Sequence, residues 1–245
     1  MISAVALEKA LNGVVRFRSG DDVTCEVSLG DARAADLCAA LPWRTFRWHR
    51  GQQHFSGFWW SSTMGRHVTY ESRLELCRLI LADFDPSVTV IVSQPFLLEA
   101  AIGGRLRRHV PDFLLLRGGE VLVVNVKPRE RLANANVRAA LEWANELLAR
   151  RGWRTEVWSG AEPHLLENVR FLAGFRRSEL FDTELLAAAA EVAPGRTVAE
   201  AEALLAARWP AVLVRPAVLH LLWSGRLLTD VSWPLNADNR LEAAA

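Results

Sequence analysis

Residues 110–127 read VPDFLLLRGGEVLVVNVK and predict a β-hairpin. Two apolar, β-rich runs flank Gly118 and Gly119, which can both take the positive φ of a tight turn. If these two glycines form the loop, Asp112 lies opposite Asn125 across the hairpin. Lys127 shares the face of Asn125, because strand side chains alternate between faces. The hairpin therefore gathers a carboxylate, an amide and an ammonium in apolar surroundings, where polar groups need partners.

Lys127 is one of two lysines among the 29 basic residues, the other being Lys9. Arginine carries a planar cation that stays protonated, whereas the compact lysine ammonium changes its pKa with burial. A single lysine that ends a buried strand, shortly after Pro111-Asp112, is typical of a metal-dependent phosphodiesterase site. The alternative is that one lysine simply survived drift.

The segment from Thr69 to Leu81 predicts a helix with Thr69 as its N-cap. Glu71 and Glu75 are four residues apart and share one face of this helix. Glu71 lies near the start, where the helix dipole favours any acid, while Glu75 lies a turn deeper among leucines. We therefore expect Glu75 to supply a second carboxylate, with Glu71 as a support. The alternative for Glu75 is the solvated face of an amphipathic helix.

Five short motifs follow one another along this part of the chain: residues 71–76 (ESRLEL), 84–88 (FDPSV), 94–96 (QPF), 110–113 (VPDF) and 125–128 (NVKP). In order and spacing they resemble the TnsA-type endonuclease subunits of heteromeric transposases, which are restriction-endonuclease-like, PD-(D/E)XK nucleases. The resemblance covers about residues 65–135. It matches Glu75 to the acid of the helix, Asp112 to the metal-bridging aspartate and Lys127 to the catalytic lysine.

The resemblance implies a metal-dependent hydrolysis of DNA. Asp112, Glu75, Asn125 and the Val126 carbonyl would hold Mg²⁺, a hard cation that prefers oxygen, and Mn²⁺ would substitute for it. Lys127 would orient the attacking water or neutralise phosphate oxygens. Asn125 stands where the wider nuclease family has Asp or Glu, so metal affinity should be weaker than in an acidic site.

The same resemblance implies partners. The chain would hydrolyse the 5′ ends of a transposon, while a DDE-type, TnsB-like transposase subunit handles the 3′ ends and an AAA+, TnsC-like regulator is bound. Two alternatives stay open. In one, Asn125 has disarmed the metal site and the chain is a DNA- or partner-binding scaffold of the transposition complex. In the other, the chain is an unrelated host-defence or repair nuclease of the same fold.

Charge is unevenly distributed along the chain. Residues 105–154 contain 11 Lys or Arg against 5 Asp or Glu, whereas residues 178–207 contain 1 against 6. Cations that bracket a cutting site suit a phosphate backbone, although a solvated basic rim would have the same composition. The expected DNA contacts are Arg105, Arg107, Arg108, Arg129 and Arg131. The acidic stretch suits a protein partner better than DNA.

Composition predicts a cytoplasmic protein without a membrane partner. The sequence contains no apolar run of membrane-spanning length and no signal pattern. Its three cysteines, Cys25, Cys38 and Cys77, have neither zinc-ligand spacing nor an even count, so we expect buried thiols in a reducing compartment. Among the histidines, His109 is closest to the site, as a structural or phosphate-contacting residue.

The expected fold class is α/β, an α+β mixed sheet with a restriction-endonuclease-like αβββαβ core at 66–160. Within it we expect a helix at 69–83, a strand at 88–101 broken at Gln94-Pro95, a hairpin at 105–127, a helix at 132–151 and a strand at 153–158. An N-terminal β-rich extension (1–65) should hold a hairpin at 12–29, a short helix near 31–41 and aromatic-rich strands within 43–68.

The remaining residues, 161–245, predict a helical, winged-helix-like C-terminal domain. Helices are expected at 163–175, in the alanine-rich stretch up to 192, and at 197–208 and 216–224, followed by a strand at 226–231. The candidate recognition helix contains few side chains that could read bases. We therefore expect this region to dock onto a protein.

Overall fold

The computed structural model describes residues 13–44 and 55–244. They divide into two compact units. The larger unit comprises the described residues up to Ala82 together with Ser87–Gly160, and the smaller unit comprises Asp83–Pro86 and the residues from Ala161 onward. Part of the aromatic-rich segment expected to form strands, including Phe46 and Trp48, lies outside the described residues.

The elements of the larger unit follow in chain order: β1 (Gly13–Arg18), β2 (Thr24–Ser28), α1 (Ala34–Cys38), β3 (Gly57–Ser61), β4 (Arg66–Tyr70), α2 (Arg73–Phe84, its last two residues counted with the smaller unit), β5 (Val88–Ser93), β6 (Leu97–Ile102), β7 (Arg105–His109), β8 (Phe113–Arg117), β9 (Glu120–Val126), α3 (Arg129–Leu132), α4 (Ala135–Arg150) and β10 (Arg154–Trp158).

A four-stranded core sheet has the order β10-β9-β8-β5. Strands β9 and β10 are parallel, and the other pairs are antiparallel. Helix α2 packs on one face, where Leu79 and Ala82 contact apolar strand residues. Helix α4 packs on the other face through Trp143 and Leu148. The series α2-β5-β8-β9-α4-β10 confirms the predicted αβββαβ core and its mixed sheet.

A second sheet, which we call the flanking sheet, has the order β2-β1-β6-β7 with antiparallel pairs. It confirms the N-terminal hairpin. The break expected at Gln94-Pro95 is confirmed, because β5 ends at Ser93 and β6 begins at Leu97. At this break, where Gln94 takes a φ of 45° and Pro95 lacks an amide donor, the chain passes from the core sheet to the flanking sheet. Since β1 pairs with β6, the N-terminal segment shares one unit with the core.

The central hairpin has the predicted register. Phe113 pairs with Val124 and Arg117 with Glu120, which places Gly118 and Gly119 in the turn with φ of 56° and 82°. The hairpin starts later than expected, however, because residues 105–109 form β7 and pair with β6. Pro111 separates the two segments, since proline cannot donate to a strand ladder.

The helix expected at 69–83 begins instead at Arg73, so the assignment of Thr69 as N-cap was wrong. Thr69 belongs to β4, which pairs with β3, and its buried hydroxyl lies 2.6 Å from that of Ser93. Threonine and tyrosine fit a pleated strand better than a helix start. Ser72 is the actual cap, because its Oγ accepts the Glu75 amide N–H at 3.1 Å.

The smaller unit is mainly helical and contains, in chain order, α5 (Pro163–Leu172), two 3₁₀ turns (Ala173–Phe175 and Ser178–Leu180), α6 (Thr183–Val192), α7 (Val198–Ala206), α8 (Ala211–Trp223), β11 (Leu227–Leu228) and β12 (Glu242–Ala243). Helix α8 starts five residues before the predicted position and keeps Pro216 inside it. The expected strand at 226–231 shortens to the two residues of β11, which pair with β12. Among the described residues, no helix has the length and apolarity needed to cross a membrane.

Candidate active site at the end of the central hairpin

Asp112 and Lys127 meet where the central hairpin ends. Asp112 precedes β8, and its Oδ2 accepts the Val126 amide N–H at 2.6 Å. The Lys127 ammonium lies 3.2 Å from the same oxygen and donates to the Val126 carbonyl at 2.9 Å. The side chains of Asp112 and Lys127 are 16% and 32% exposed. Both are therefore mostly buried, but each keeps some surface that a ligand can reach. The ammonium thus contacts two of the oxygens that were predicted to hold a metal.

Glu75 lies in the first turn of α2 and belongs to its cap. Its Oε2 accepts the Glu71 amide N–H at 2.6 Å, and its Oε1 accepts the Ser72 hydroxyl at 2.9 Å. Glu75 is the third residue after the cap Ser72, which is the spacing of a capping box. The expectation that Glu75 lies a turn deeper than the helix start was therefore wrong, because the helix starts four residues later than predicted.

The Glu75 carboxyl nevertheless differs from an ordinary capping acid. The pKa of this carboxyl is raised from 4.5 to about 7. Burial is the main cause, and the neighbouring Asp112 carboxylate is the second. The hydrogen bonds from Glu71 and Ser72 only partly oppose this rise. Glu75 and Asp112 are therefore close enough to repel each other. Two acids that share a partly dry site favour either a bound proton or a bound cation.

Asn125 is fully buried and bridges two other polar side chains. His109 Nε2 lies 2.7 Å from Asn125 Oδ1, and Asn125 Nδ2 donates to Asn145 Oδ1 at 3.3 Å. Sequence reasoning placed His109 near the site but missed Asn145. The available signal was that Asn145 interrupts the apolar stripe of α4, four residues after Leu141 and three before Leu148.

The protonation of His109 follows from its surroundings. Burial lowers the pKa of its imidazole, an effect that Asn125 and Asp112 oppose and that the cations Lys127 and Arg44 reinforce. The ring is therefore neutral at pH 7. Since Asn125 Nδ2 donates to Asn145, its Oδ1 is the acceptor, and His109 Nε2 carries the proton. The site thus contains a neutral hydrogen-bond chain beside the Asp112–Lys127 pair.

Arg44 was also missed by sequence reasoning, and nothing in its local sequence marks it. Its guanidinium lies 3.6 Å from the Glu71 carboxylate, and its amide donates to the Gln94 side chain at 3.2 Å. The side chain is 57% exposed. Arg44 therefore adds a solvent-facing cation to the same site.

The oxygens at this site are of the kind that a hard divalent cation prefers, but only two of the groups that carry them are carboxylates. Glu75 and Asp112 supply carboxylates, and the Val126 carbonyl is adjacent. Among the described residues, no group of three or more His, Cys, Asp or Glu side chains is placed to hold a metal. Asn125, at the same end of the hairpin, contributes an amide and no carboxylate to this set. The repulsion between Glu75 and Asp112 is what a cation would relieve.

The arginines predicted to contact DNA form two exposed groups in the larger unit. Arg105, Arg107 and Arg108 lie on β7, at the edge of the flanking sheet. Arg108 pairs with Glu99, a buried acid that also lies 3.2 Å from Arg16. Arg129 and Arg131 lie on α3, directly after Lys127-Pro128.

The three cysteines predicted to be buried thiols are only half-buried, and none of them forms a disulfide within the described residues. None of them lies among the side chains described above. They therefore add no metal ligand or nucleophile to the candidate active site.

Comparison with known proteins identifies one segment of the chain. Residues 85–160 match the family model described as TnsA-like endonuclease N terminal. The match includes Asp112, Asn125 and Lys127 and leaves Glu75 outside. No curated protein matches the chain. The match agrees with the resemblance drawn from the sequence motifs: residues 85–160 are similar to the N-terminal part of TnsA-like endonucleases, and the core has a restriction-endonuclease-like α+β fold.

Proposed function

We propose that the chain is the metal-dependent DNA endonuclease subunit of a heteromeric transposase and hydrolyses phosphodiester bonds at the 5′ ends of a transposon. The observation that carries this proposal is the meeting of Glu75, Asp112 and Lys127. Two mutually repelling carboxylates beside one ammonium are the groups that phosphodiester hydrolysis needs, and two of these residues fall inside the segment with the TnsA-like match.

The proposed cofactor is Mg²⁺, and Mn²⁺ would substitute for it. The ion would bind the carboxylates of Glu75 and Asp112 and the Val126 carbonyl, and the Asn125 amide would supply a further oxygen. When bound, the ion would supply Lewis-acid stabilisation of charge on the phosphate. Asp112 is held in place by the Val126 N–H. Glu75 is held by the helix cap, so both carboxylates are oriented before any cation binds.

Lys127 is proposed as the catalytic cation. Its Nζ lies against Asp112, where it can contact a phosphate oxygen and orient an attacking water. His109 is proposed as a positioning residue that fixes the Asn125 amide. As a neutral ring that already donates its proton to Asn125, it is a poor candidate for a general base.

DNA would be held by its backbone. The exposed groups on β7 and α3 supply five arginines, and two of these directly follow the catalytic lysine. Contacts of this kind add affinity without reading sequence and weaken with salt.

A TnsB-like transposase subunit and a TnsC-like AAA+ regulator are the proposed protein partners, as the family resemblance implies. The smaller unit contains the acidic residues 178–207, which would be repelled by DNA. We therefore assign partner contacts to that unit. The cytoplasm, where thiols stay reduced, is the proposed location.

A non-cutting scaffold is the second candidate function. Two contacts favour it: the Asn125 oxygen already accepts the His109 proton, and the Lys127 ammonium already lies on Asp112 and Val126. In this case the site would be held together by its own side chains and would need no cation.

Metal-dependent cleavage separates the two functions. Duplex DNA with transposon ends would be incubated with the partner subunits and increasing Mg²⁺ or Mn²⁺. An endonuclease should cut only with the metal, and Glu75→Gln should reduce cutting at least a hundredfold. Glu146→Gln, which changes an exposed acid of α4, is the matched control and should cut normally. Equal cutting by Glu75→Gln and the wild type would refute the proposed role of the acidic pair.

A further inference from the structure

A cavity of about 240 Å³ lies on the face of the core sheet that contacts α2. Its polar lining is Arg78 of α2, Arg117 of β8, Glu120 of β9, and Arg154, Thr155 and Glu156 of β10. None of these residues belongs to the candidate active site. The volume far exceeds the roughly 30 Å³ that one water molecule occupies in the liquid, so the cavity has room for a small polyatomic ligand.

Arg78 is the feature that sets this cavity apart. The residue is 8% exposed, and its Nη2 donates to Glu156 Oε2 at 2.8 Å. Its Nε is the one buried side-chain nitrogen or oxygen in the described part of the chain that has no hydrogen-bond partner. Buried donors are almost always paired in folded proteins. Arg78 Nε–H therefore points at an acceptor from outside the chain, either a water molecule or a ligand.

The charge of the lining indicates the sign of that acceptor. Three guanidinium groups and two carboxylates line the cavity, and Arg117 also donates its Nε–H to the Ser87 hydroxyl at 3.3 Å. Arg154 and Glu120 form a loose pair at 3.4 Å between exposed side chains, and such pairs contribute little. Arg154 can therefore turn toward a ligand at small cost. Guanidinium forks match the paired oxygens of oxyanions.

We propose that this cavity binds a phosphate-type oxyanion through Arg78, Arg117 and Arg154. The ligand supplies the acceptor that Arg78 Nε lacks, while Glu156 holds the other end of the same guanidinium. Its source is either free phosphate or a phosphate of the DNA backbone. Arg78 follows Glu75 by three residues on α2, a rise of about 4.5 Å along the helix. The oxyanion site thus adjoins the helix that carries Glu75.

Thermal unfolding with inorganic phosphate tests the site. Phosphate would be titrated against chloride at constant ionic strength for the wild type, the double variant Arg117→Gln/Arg154→Gln and the control Arg150→Gln, an exposed arginine of α4. We expect phosphate to raise the Tm of the wild type and the control, and the double variant to need at least tenfold more phosphate for the same shift. Equal shifts in all three proteins, or none, would overturn the proposal.

Arg78→Lys provides a second variant that keeps the charge but removes the Nε–H donor. It should weaken phosphate binding at least fivefold while the Tm without phosphate changes little. If this variant fails to fold, the double variant at exposed positions still decides the question.

DNA binding without metal distinguishes the two sources. If the ligand is a backbone phosphate, the double variant should bind duplex DNA more weakly and with a salt dependence reduced by about 1 to 2 in slope. If the ligand is free phosphate, DNA affinity should equal that of Arg150→Gln while phosphate binding is lost. Neither measurement involves cleavage, so both stand apart from the proposed nuclease activity.

Discussion

His109 Nε2 lies 2.7 Å from Asn125 Oδ1, so the amide at the end of the central hairpin is oriented by a neutral imidazole. Burial keeps the pKa of that imidazole below its usual value. Asn145 accepts from the other end of the amide. An acid at position 125 would instead accept the same His109 proton with a negative charge. Compared with an acid at position 125, the amide gives the site one negative charge less and forms a neutral hydrogen-bond chain with His109 and Asn145.

Replacement of Asn125 by Asp should tighten divalent metal binding. The added charge completes an oxygen cluster with Glu75 and Asp112, so we expect an affinity for Mn²⁺ that is about tenfold higher, equivalent to ~1.4 kcal/mol. Calorimetric titration of Mn²⁺ measures this difference. Asn136→Asp, an exposed change on α4, is the control. Tighter binding by the wild type would contradict the assignment of this site.

Glu75 should make the metal-free protein less stable as pH rises. Its folded pKa of about 7 exceeds the ordinary 4.5, so the folded state binds the proton more tightly than the unfolded state does. This contribution is fully present below about pH 4.5 and is lost as pH rises toward 7. Glu75→Gln, which cannot ionise, should therefore unfold at a higher temperature than the wild type at pH 8 and at a similar temperature at pH 4. Thermal unfolding across this pH range is the measurement. A variant that is less stable at both pH values would show that capping, not ionisation, dominates.

Ser72 should matter for both the fold and the site. Its hydroxyl caps α2 and donates to Glu75, so Ser72→Ala should destabilise the protein by about 1 kcal/mol. Urea unfolding measures this free energy. Ser72→Thr keeps the hydroxyl and should retain most of the stability. The prediction fails if the alanine and threonine variants unfold at the same urea concentration.

The two groups of arginines should differ in their effect on DNA binding. Arg129→Gln and Arg131→Gln should each reduce the slope of log affinity against log salt by about 1, because each removes one phosphate contact. Arg108→Gln should also lower stability, because it removes a partner of the buried Glu99. Fluorescence anisotropy at several salt concentrations measures the slopes. Arg150→Gln is the control, and a similar slope change there would indicate nonspecific charge loss.

The order of elements in the core and the register of the central hairpin could be predicted from sequence. Two apolar runs flank Gly118 and Gly119, and taking these glycines as a two-residue loop fixes the pairing of the two strands. The meeting of Asp112 and Lys127 followed from that register. The helical pattern from Thr69 to Leu81 predicted Glu75 as the second acid, and the family resemblance agreed with it.

Other features depend on contacts between distant segments. The split of residues 88–101 between two sheets depends on β1, which pairs with β6 from far away in sequence. The start of α2 was misjudged because β3 draws Thr69 into a strand. Arg44 reaches the site through folding alone and has no local motif, whereas Asn145 is marked only by its polar side chain within the apolar stripe of α4. The oxyanion cavity likewise joins α2 to three strands and has no counterpart in any single segment.

Strand-resolved cleavage of transposon-end DNA tests the central proposal most directly. The assay would include Mg²⁺ and the partner subunits and would compare the wild type with Asp112→Ala and Lys127→Ala, after each variant is shown to fold by its Tm. The proposed function predicts cuts at the 5′ ends that disappear in both variants, while the partner still processes the 3′ ends. Intact 5′ strands with the wild type, and the same products with both variants, would contradict an endonuclease and leave a scaffold.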